Sequence, residues 1–267
     1  MIYKTDEEVE LMRESALLVS ATLTEIAKVL GPGMTTLEID ALANQYIRDH
    51  GAIPSFLNYG GFPHNICTSV NDVVVHGMPD GVPLKDGDIV SVDVGVVKNG
   101  FHGDHAYTFV IGEAPDAHLQ LVNVTKQSLY FGIAQAIAGN RTGDIGYAIQ
   151  HHAESHGYGV VRDLVGHGLG RNMHEKPDVP NFGSRGRGAI LRKNLVLAIE
   201  PMINLGTAKV YTAKNRWAIH TADGKPAVHF EHDVCVKEGK ALLLSDYSGI
   251  EAAEQANSNL NKKSARG

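Results

Sequence analysis

The chain is short of cysteine, of long apolar runs and of clustered positive charge, and each shortage removes a class of reading. Two cysteines, Cys67 and Cys235, cannot staple 267 residues. Cohesion must therefore come from a packed core, and the thiols read as reduced residents of a reducing compartment. No run of about 18 apolar residues is present to span a bilayer. The opening "MIYKTDEEVELMRES" is too charged to hold the apolar centre of a secretory signal. A cytoplasmic protein with no membrane partner is the expectation. Lys and Arg, 24 in all, are outnumbered by 30 Asp and Glu and lie scattered rather than in a stripe, for a net charge of -6. Nothing there would neutralise a phosphate backbone, so no nucleic acid is expected as a partner. The closing "NSNLNKKSARG" is polar and small-residue rich, the composition of a fraying terminus.

Internal repetition organises what is present. Val9, Met12, Ala16, Val19, Leu23, Ile26 and Leu30 recur at spacings of three and four, the stripe of a long amphipathic helix that Pro32 and Gly33 end. A second helix follows in "TTLEIDALANQYIRDHG", with Thr36 as its expected cap and Ile39, Leu42, Ala43, Tyr46 and Ile47 on one face. A shift of 106 positions sets Thr36, Glu38, Ile39, His50 and Gly51 against Thr142, Asp144, Ile145, His156 and Gly157. The segment from Ala117 to Ala138 again has helical periodicity, so a helix pair occurs twice. Each pair is followed by strands. "DGDIVSVDVGVVKNGFHGDHAYTFVIG" reads as a hairpin turning at Asn99 and Gly100, with Asp93 and Asp104 on its arms. "NLVLAIEPMINLG" and "AVHFEHDVCVKEG" read as strands bearing Glu200 and Glu231. Two helix-helix-strand-hairpin units predict a pseudo-twofold α+β domain with a site between its halves.

Asp93 and Glu200 interrupt runs that otherwise read as buried strand. A carboxylate there is costly to desolvate unless it is neutralised, hydrogen-bonded or bound to a metal. Few cations lie nearby in these strands. Four such carboxylates together with His167 suit two divalent ions, which would compensate four negative charges. In "LVGHGLGRNMHEKP", His167 and His174 stand seven positions apart among glycines. That is poor helix material and not the spacing of a helical zinc site. A loop or strand edge is expected, needing ligands from elsewhere.

The order Asp93, Asp104, "GHGLGRNMHEKP", "IEPM" and "EHD", with eleven positions from Asp93 to Asp104, joins "NYGGFPHNICTSVNDVVVHGMPDG" in a pattern that runs from Tyr3 to Val236. The pattern resembles the type I methionine aminopeptidases of the peptidase M24 family, which have the pita-bread fold. The resemblance implies one catalytic domain over residues 1–250, with 251–267 as a flexible tail, acting as a cytoplasmic monomer. It implies two divalent ions, Co, Mn, Fe or Zn, with Asp93 on one, His167 and Glu200 on the other, and Asp104 and Glu231 bridging them. The implied activity is removal of the N-terminal methionine from nascent proteins and peptides with a small second residue. Ions about 4 Å apart would share a water and turn it into a hydroxide nucleophile. A ligand set of oxygens with one imidazole leans toward Mn, Fe or Co. His174 would donate to the tetrahedral oxyanion. His76 would contact the scissile nitrogen or bring a proton to the leaving amine. Tyr59, Phe62, Cys67, Met173 and Trp217 would line the methionine pocket, with Cys67 not a nucleophile. The nascent chain is the implied substrate and the ribosome exit region a candidate contact.

Only 33 positions separate His167 from Glu200, which leaves no room for the helical insertion of type II enzymes, and the expectation is of an enzyme without a zinc-binding N-terminal extension. Xaa-Pro aminopeptidases and prolidases share the fold and ligand order but usually carry a further N-terminal domain. A non-catalytic module of this fold would have lost ligands that are all present here. The remaining histidines, such as His118, His151, His152 and His220, read as solvated or packed, and strand alternation turns His105 away from Asp104. One run departs from the family. Where type I enzymes commonly read Gln-aromatic-Glu-His-Thr, this chain has His229, Phe230, Glu231, His232 and Asp233. Alternation along a regular strand would put His229, Glu231 and Asp233 on one face. Asp233 is then either solvated, with His229 merely packing, or acts on the centre through its added negative charge.

Overall fold

The computed structural model describes residues 1–261. Helix α1 (Asp6–Val29) starts at a capping box. The Thr5 hydroxyl accepts from the Glu8 N–H while the Glu8 carboxylate accepts from the Thr5 N–H. Both satisfy donors that a helix start leaves unpaired. Its predicted stripe is buried from Val9 through Ile26. Helix α2 (Thr36–Asp49) has the same device one residue earlier than expected, at Thr35 with Glu38. Thr35 is extended, whereas Thr36 is already helical and spends its hydroxyl on the Asp80 backbone N–H at 2.7 Å.

Helix α3 (Asp116–Ile133) stops short of Ala138 because Ile137 and Ala138 pair with Lys237 instead. Helix α4 (Thr142–Ser155) begins and ends 106 positions after α2, so the sequence repeat is a structural one.

The first half continues into a hairpin of two ten-residue strands, Ile89–Lys98 and Phe101–Val110, in unbroken register. Asn99 (φ 55°) and Gly100 (φ 76°) form its two-residue turn. Positive φ at both positions matches the right-handed twist of the strands. In the second half the two expected strands are each cut in two. Val196–Ile199 pairs with His232–Cys235, and Met202–Asn204 pairs with Ala227–His229. The ribbon breaks where Glu200 and Pro201 face Phe230 and Glu231. Pro201 has no N–H for a ladder, and the Glu231 N–H bonds to the Ala106 carbonyl of the first hairpin at 3.1 Å. The two halves are joined at this point. The core between helices and sheets holds Leu23, Ile39, Val92, Ile145, Leu197 and Phe230, all fully buried.

Fraying from residue 251 is not observed over the described part of that segment. Helix α5 (Ser248–Ala256) packs against α1, with Ile250, Ala253 and Leu260 buried. The Asn257 amide donates to the Ala27 and Leu30 carbonyls at the end of α1, each at 2.8 Å. A polar composition therefore hid a docked segment whose side chains cap another helix. Residues 262–267 lie outside the described residues. Among the described residues no helix is long and apolar enough to cross a membrane.

Candidate metal centre

In the first hairpin Asp93 pairs with Ala106 and Asp104 with Gly95, so the two carboxylates sit one diagonal step apart on the same face. His167 lies on a three-residue strand, Gly166–Gly168, beside Ala198 in the second half. Gly166 is required there, since a Cβ would fall 2.4 Å from the Ala198 carbonyl oxygen. Glu200 and Glu231 are delivered at the ribbon break. Asp104, His167 and Glu231 each offer a ligand atom within 4.8 Å of the others. The His167 Nε2 lies 3.6 Å from Glu200 Oε1 and 4.0 Å from Asp104 Oδ2, too far for hydrogen bonds. Its Nδ1 donates to the Gly168 carbonyl at 2.9 Å, which leaves the Nε2 lone pair facing the carboxylates.

No Lys or Arg among the described residues forms an ion pair with Asp93, Asp104, Glu200 or Glu231. Burial pushes the Asp93 carboxyl up to about 7. Asp104, Glu200 and Glu231 are raised well above the usual range by burial first and then by neighbouring carboxylates, Asp93 foremost for Asp104 and Glu200 and Asp104 foremost for Glu231. Burial lowers His167 to about 4, keeping it neutral. Oδ1 of Asp93 and Oδ1 of Asp104 are buried without a hydrogen-bond partner. Unpaired buried oxygens are costly, and hard divalent cations are the ligands that such an oxygen-rich set accepts. The donor set fits a divalent-metal site.

All twelve residues singled out from the sequence line one cleft of about 320 Å³. The carboxylates and His167 form its polar part. Phe62, Cys67 and Met173 form an apolar cluster with Phe56, and Met78 and Trp217 pack against it. Phe56 and Met78 join this cluster without having been singled out by the sequence. An aromatic two residues after Pro54 and a methionine two after His76 are weak local signals. Phe56 enters because Gly95 has no side chain, where a Cβ would sit 2.6 Å from its ring. Burial drives the Cys67 thiol well up, away from a reactive thiolate.

His174 is at the open side, 2.7 Å from the Tyr59 hydroxyl through Nδ1, its ring centroid 4.2 Å from that of His167. His76 lies on the same wall with φ 57°, a left-handed conformation that non-glycine residues rarely hold. His105 does face away, with its Nε2 3.0 Å from the Ser20 hydroxyl.

The departing run contacts the centre despite its broken strand. Asp233 is not solvated. It is buried, and its Oδ2 accepts from the Asp104 N–H at 2.9 Å. His229 Nε2 points at Glu200 and Glu231.

The description "Metallopeptidase family M24" matches residues 10–238. A methionine aminopeptidase of Clostridium acetobutylicum is 48% identical over 246 residues, covering 92% of this chain and 98% of that protein. The crystal structure of methionine aminopeptidase from Rickettsia prowazekii aligns with a TM-score of 0.91 at 38% identity, over 92% of this chain and 100% of that one. An X-Pro aminopeptidase from Thermotoga maritima shares the fold, with a TM-score of 0.73 at 20% identity, but only 62% of its chain is covered. The match spans the inward carboxylates, the imidazole between them and both halves of the pita-bread fold, and the chain belongs to metallopeptidase family M24.

Proposed function

We propose that the protein is a type I methionine aminopeptidase that removes the N-terminal methionine from proteins and peptides with a small second residue. The observation that carries this reading is the cleft itself. Four buried carboxylates without cationic partners and one neutral imidazole stand beside an apolar wall of aromatic rings and sulfur. Two divalent ions would be held by Asp93, Asp104, His167, Glu200 and Glu231. When bound, the ions supply a water nucleophile of lowered pKa and polarise the scissile carbonyl.

The chain's own groups do the rest. Phe56, Phe62, Met78, Met173 and Trp217 bury the thioether side chain, for which sulfur and aromatic edges are good neighbours. The Tyr59 hydroxyl lies 2.7 Å from His174 Nδ1; with that hydroxyl as the donor, the ring's own N–H is on Nε2, where it can hydrogen-bond the carbonyl oxygen as charge develops. His76 holds or delivers the proton that the leaving amine needs. The long relative and structural matches to methionine aminopeptidases support this reading over a prolidase, whose likeness is one of fold. A monomer acting on nascent chains in the cytoplasm, near the ribosome exit, completes the proposal.

The test is cleavage of Met-Ala-Ser against an Ala-Pro peptide, with and without Mn(II) or Co(II). Metal-dependent release of methionine from the first peptide alone is expected. Cleavage confined to Ala-Pro, or activity that survives verified metal removal, would sink it.

A further inference from the structure

The His229 Nε2 approaches the carboxylates at distances close to those of the His167 Nε2. The His167 Nε2 lies 3.6 and 4.0 Å from oxygens of Glu200 and Asp104. The His229 Nε2 lies 3.7 Å from Glu200 Oε2 and 3.9 Å from Glu231 Oε2. Glu200 thus lies between two imidazoles, its Oε1 toward one and its Oε2 toward the other. None of the four separations is a hydrogen bond. All are distances at which donors share an ion, because atoms bound at about 2.1 Å can be no more than about 4.2 Å apart.

The His229 Nε2 is buried and has no hydrogen-bond partner. Its backbone is held on both sides. The His229 carbonyl accepts from the Thr108 hydroxyl at 2.6 Å, and its backbone is paired opposite Met202. Both contacts pin the residue between the halves of the domain.

We propose that His229 is a metal ligand, giving the centre a second imidazole in addition to His167. The proposal rests on the metal centre described above and extends its donor set from five residues to six. A second nitrogen donor moves the set from one suited to hard ions toward Co(II), Fe(II) or Zn(II) at the expense of Mn(II).

Proton NMR of the Co(II)-loaded protein tests it, since each Co(II)-bound imidazole contributes one exchangeable N–H resonance displaced far outside the protein envelope. At two equivalents of Co(II) the wild-type protein should show two such resonances, and His229→Gln should lose one of them while keeping the other. Calorimetric titration should show Co(II) affinity falling by about 10-fold or more in His229→Gln, with Mn(II) affinity falling less. One resonance in the wild-type protein, or a His229→Gln spectrum identical to wild type, overturns the assignment while leaving the centre intact. Failure of the wild-type protein to bind Co(II) at all overturns the centre as well. Should His229→Gln not fold, the wild-type resonance count decides by itself.

Discussion

The two halves of the domain deliver their carboxylates by different means. In the first, Asp93 and Asp104 ride on a continuous hairpin, where ten unbroken pairs and a two-residue turn set which way each side chain points. In the second, Glu200 and Glu231 stand at a break, and what holds them comes from outside their own strands. The Tyr247 hydroxyl, just before α5, accepts from the Glu231 N–H at 3.1 Å and faces the carbonyls of Glu231 and Ala106 at 2.6 and 2.7 Å. The Asn181 amide donates to the Glu200 carbonyl at 2.9 Å. A regular ladder places side chains by parity alone. A broken one must be placed by distant partners, and it gains freedom to aim donors that parity would turn away.

The largest effect should separate the two histidines of the Gly166–His174 stretch. His167→Ala should lose metal and activity together, whereas His174→Ala should keep its metal and lose about 10²-fold or more in turnover. Metal analysis beside steady-state kinetics reads both, and equal metal loss in the two variants would move His174 into the coordination sphere.

Next comes the support of the broken half. Tyr247→Phe leaves the Glu231 and Ala106 backbone groups short of a partner, at a cost of about 1–3 kcal/mol. Metal affinity should fall with it by about 10-fold, in the range seen when groups that orient ligands are removed. Denaturant melts and metal titration measure the two. Lost stability with unchanged metal affinity would show that the break needs no outside support.

Acidity should act on both halves through the carboxylates. With its pKa near 7, Asp93 holds a proton below that pH when no metal is bound, and an incoming cation must displace it. The metal-free site is thus favoured as pH falls and metal binding as pH rises. Affinity should climb between pH 6 and 8 by up to about 10-fold per unit for each proton displaced. Calorimetry in buffers of different ionisation heat counts those protons, and a flat profile would contradict the burial argument.

The smallest effect is reserved for the regular half. Gly100→Ala puts a side chain at φ 76° and should cost about 1 kcal/mol. Metal affinity should stay unchanged, because the ten-pair register holds Asp93 and Asp104 without the turn. A drop in metal affinity would mean that the two halves are supported alike.

What was legible in the sequence was what depends on neighbours along the chain. Helical periodicity, the Asn99-Gly100 turn, the repeat at 106 positions and the carboxylates set into apolar strands all follow from local geometry and the cost of burying charge. The match of the five acid and imidazole donors to a family pattern followed from their order alone. The tertiary structure decided what depends on residues far away. Thr35 rather than Thr36 caps α2 because Asp80 claims the second hydroxyl. Residues 251–261 are docked because α1 offers them an apolar face and two open carbonyls. The strands at Glu200 and Glu231 are broken because a proline cannot join the ladder and Ala106 takes the Glu231 N–H. Alternation could put His229 on a face with Glu231, but only the packing of one half on the other sets its Nε2 against Glu200. Periodicity reports which side of an element is buried, and it is silent on what waits on that side.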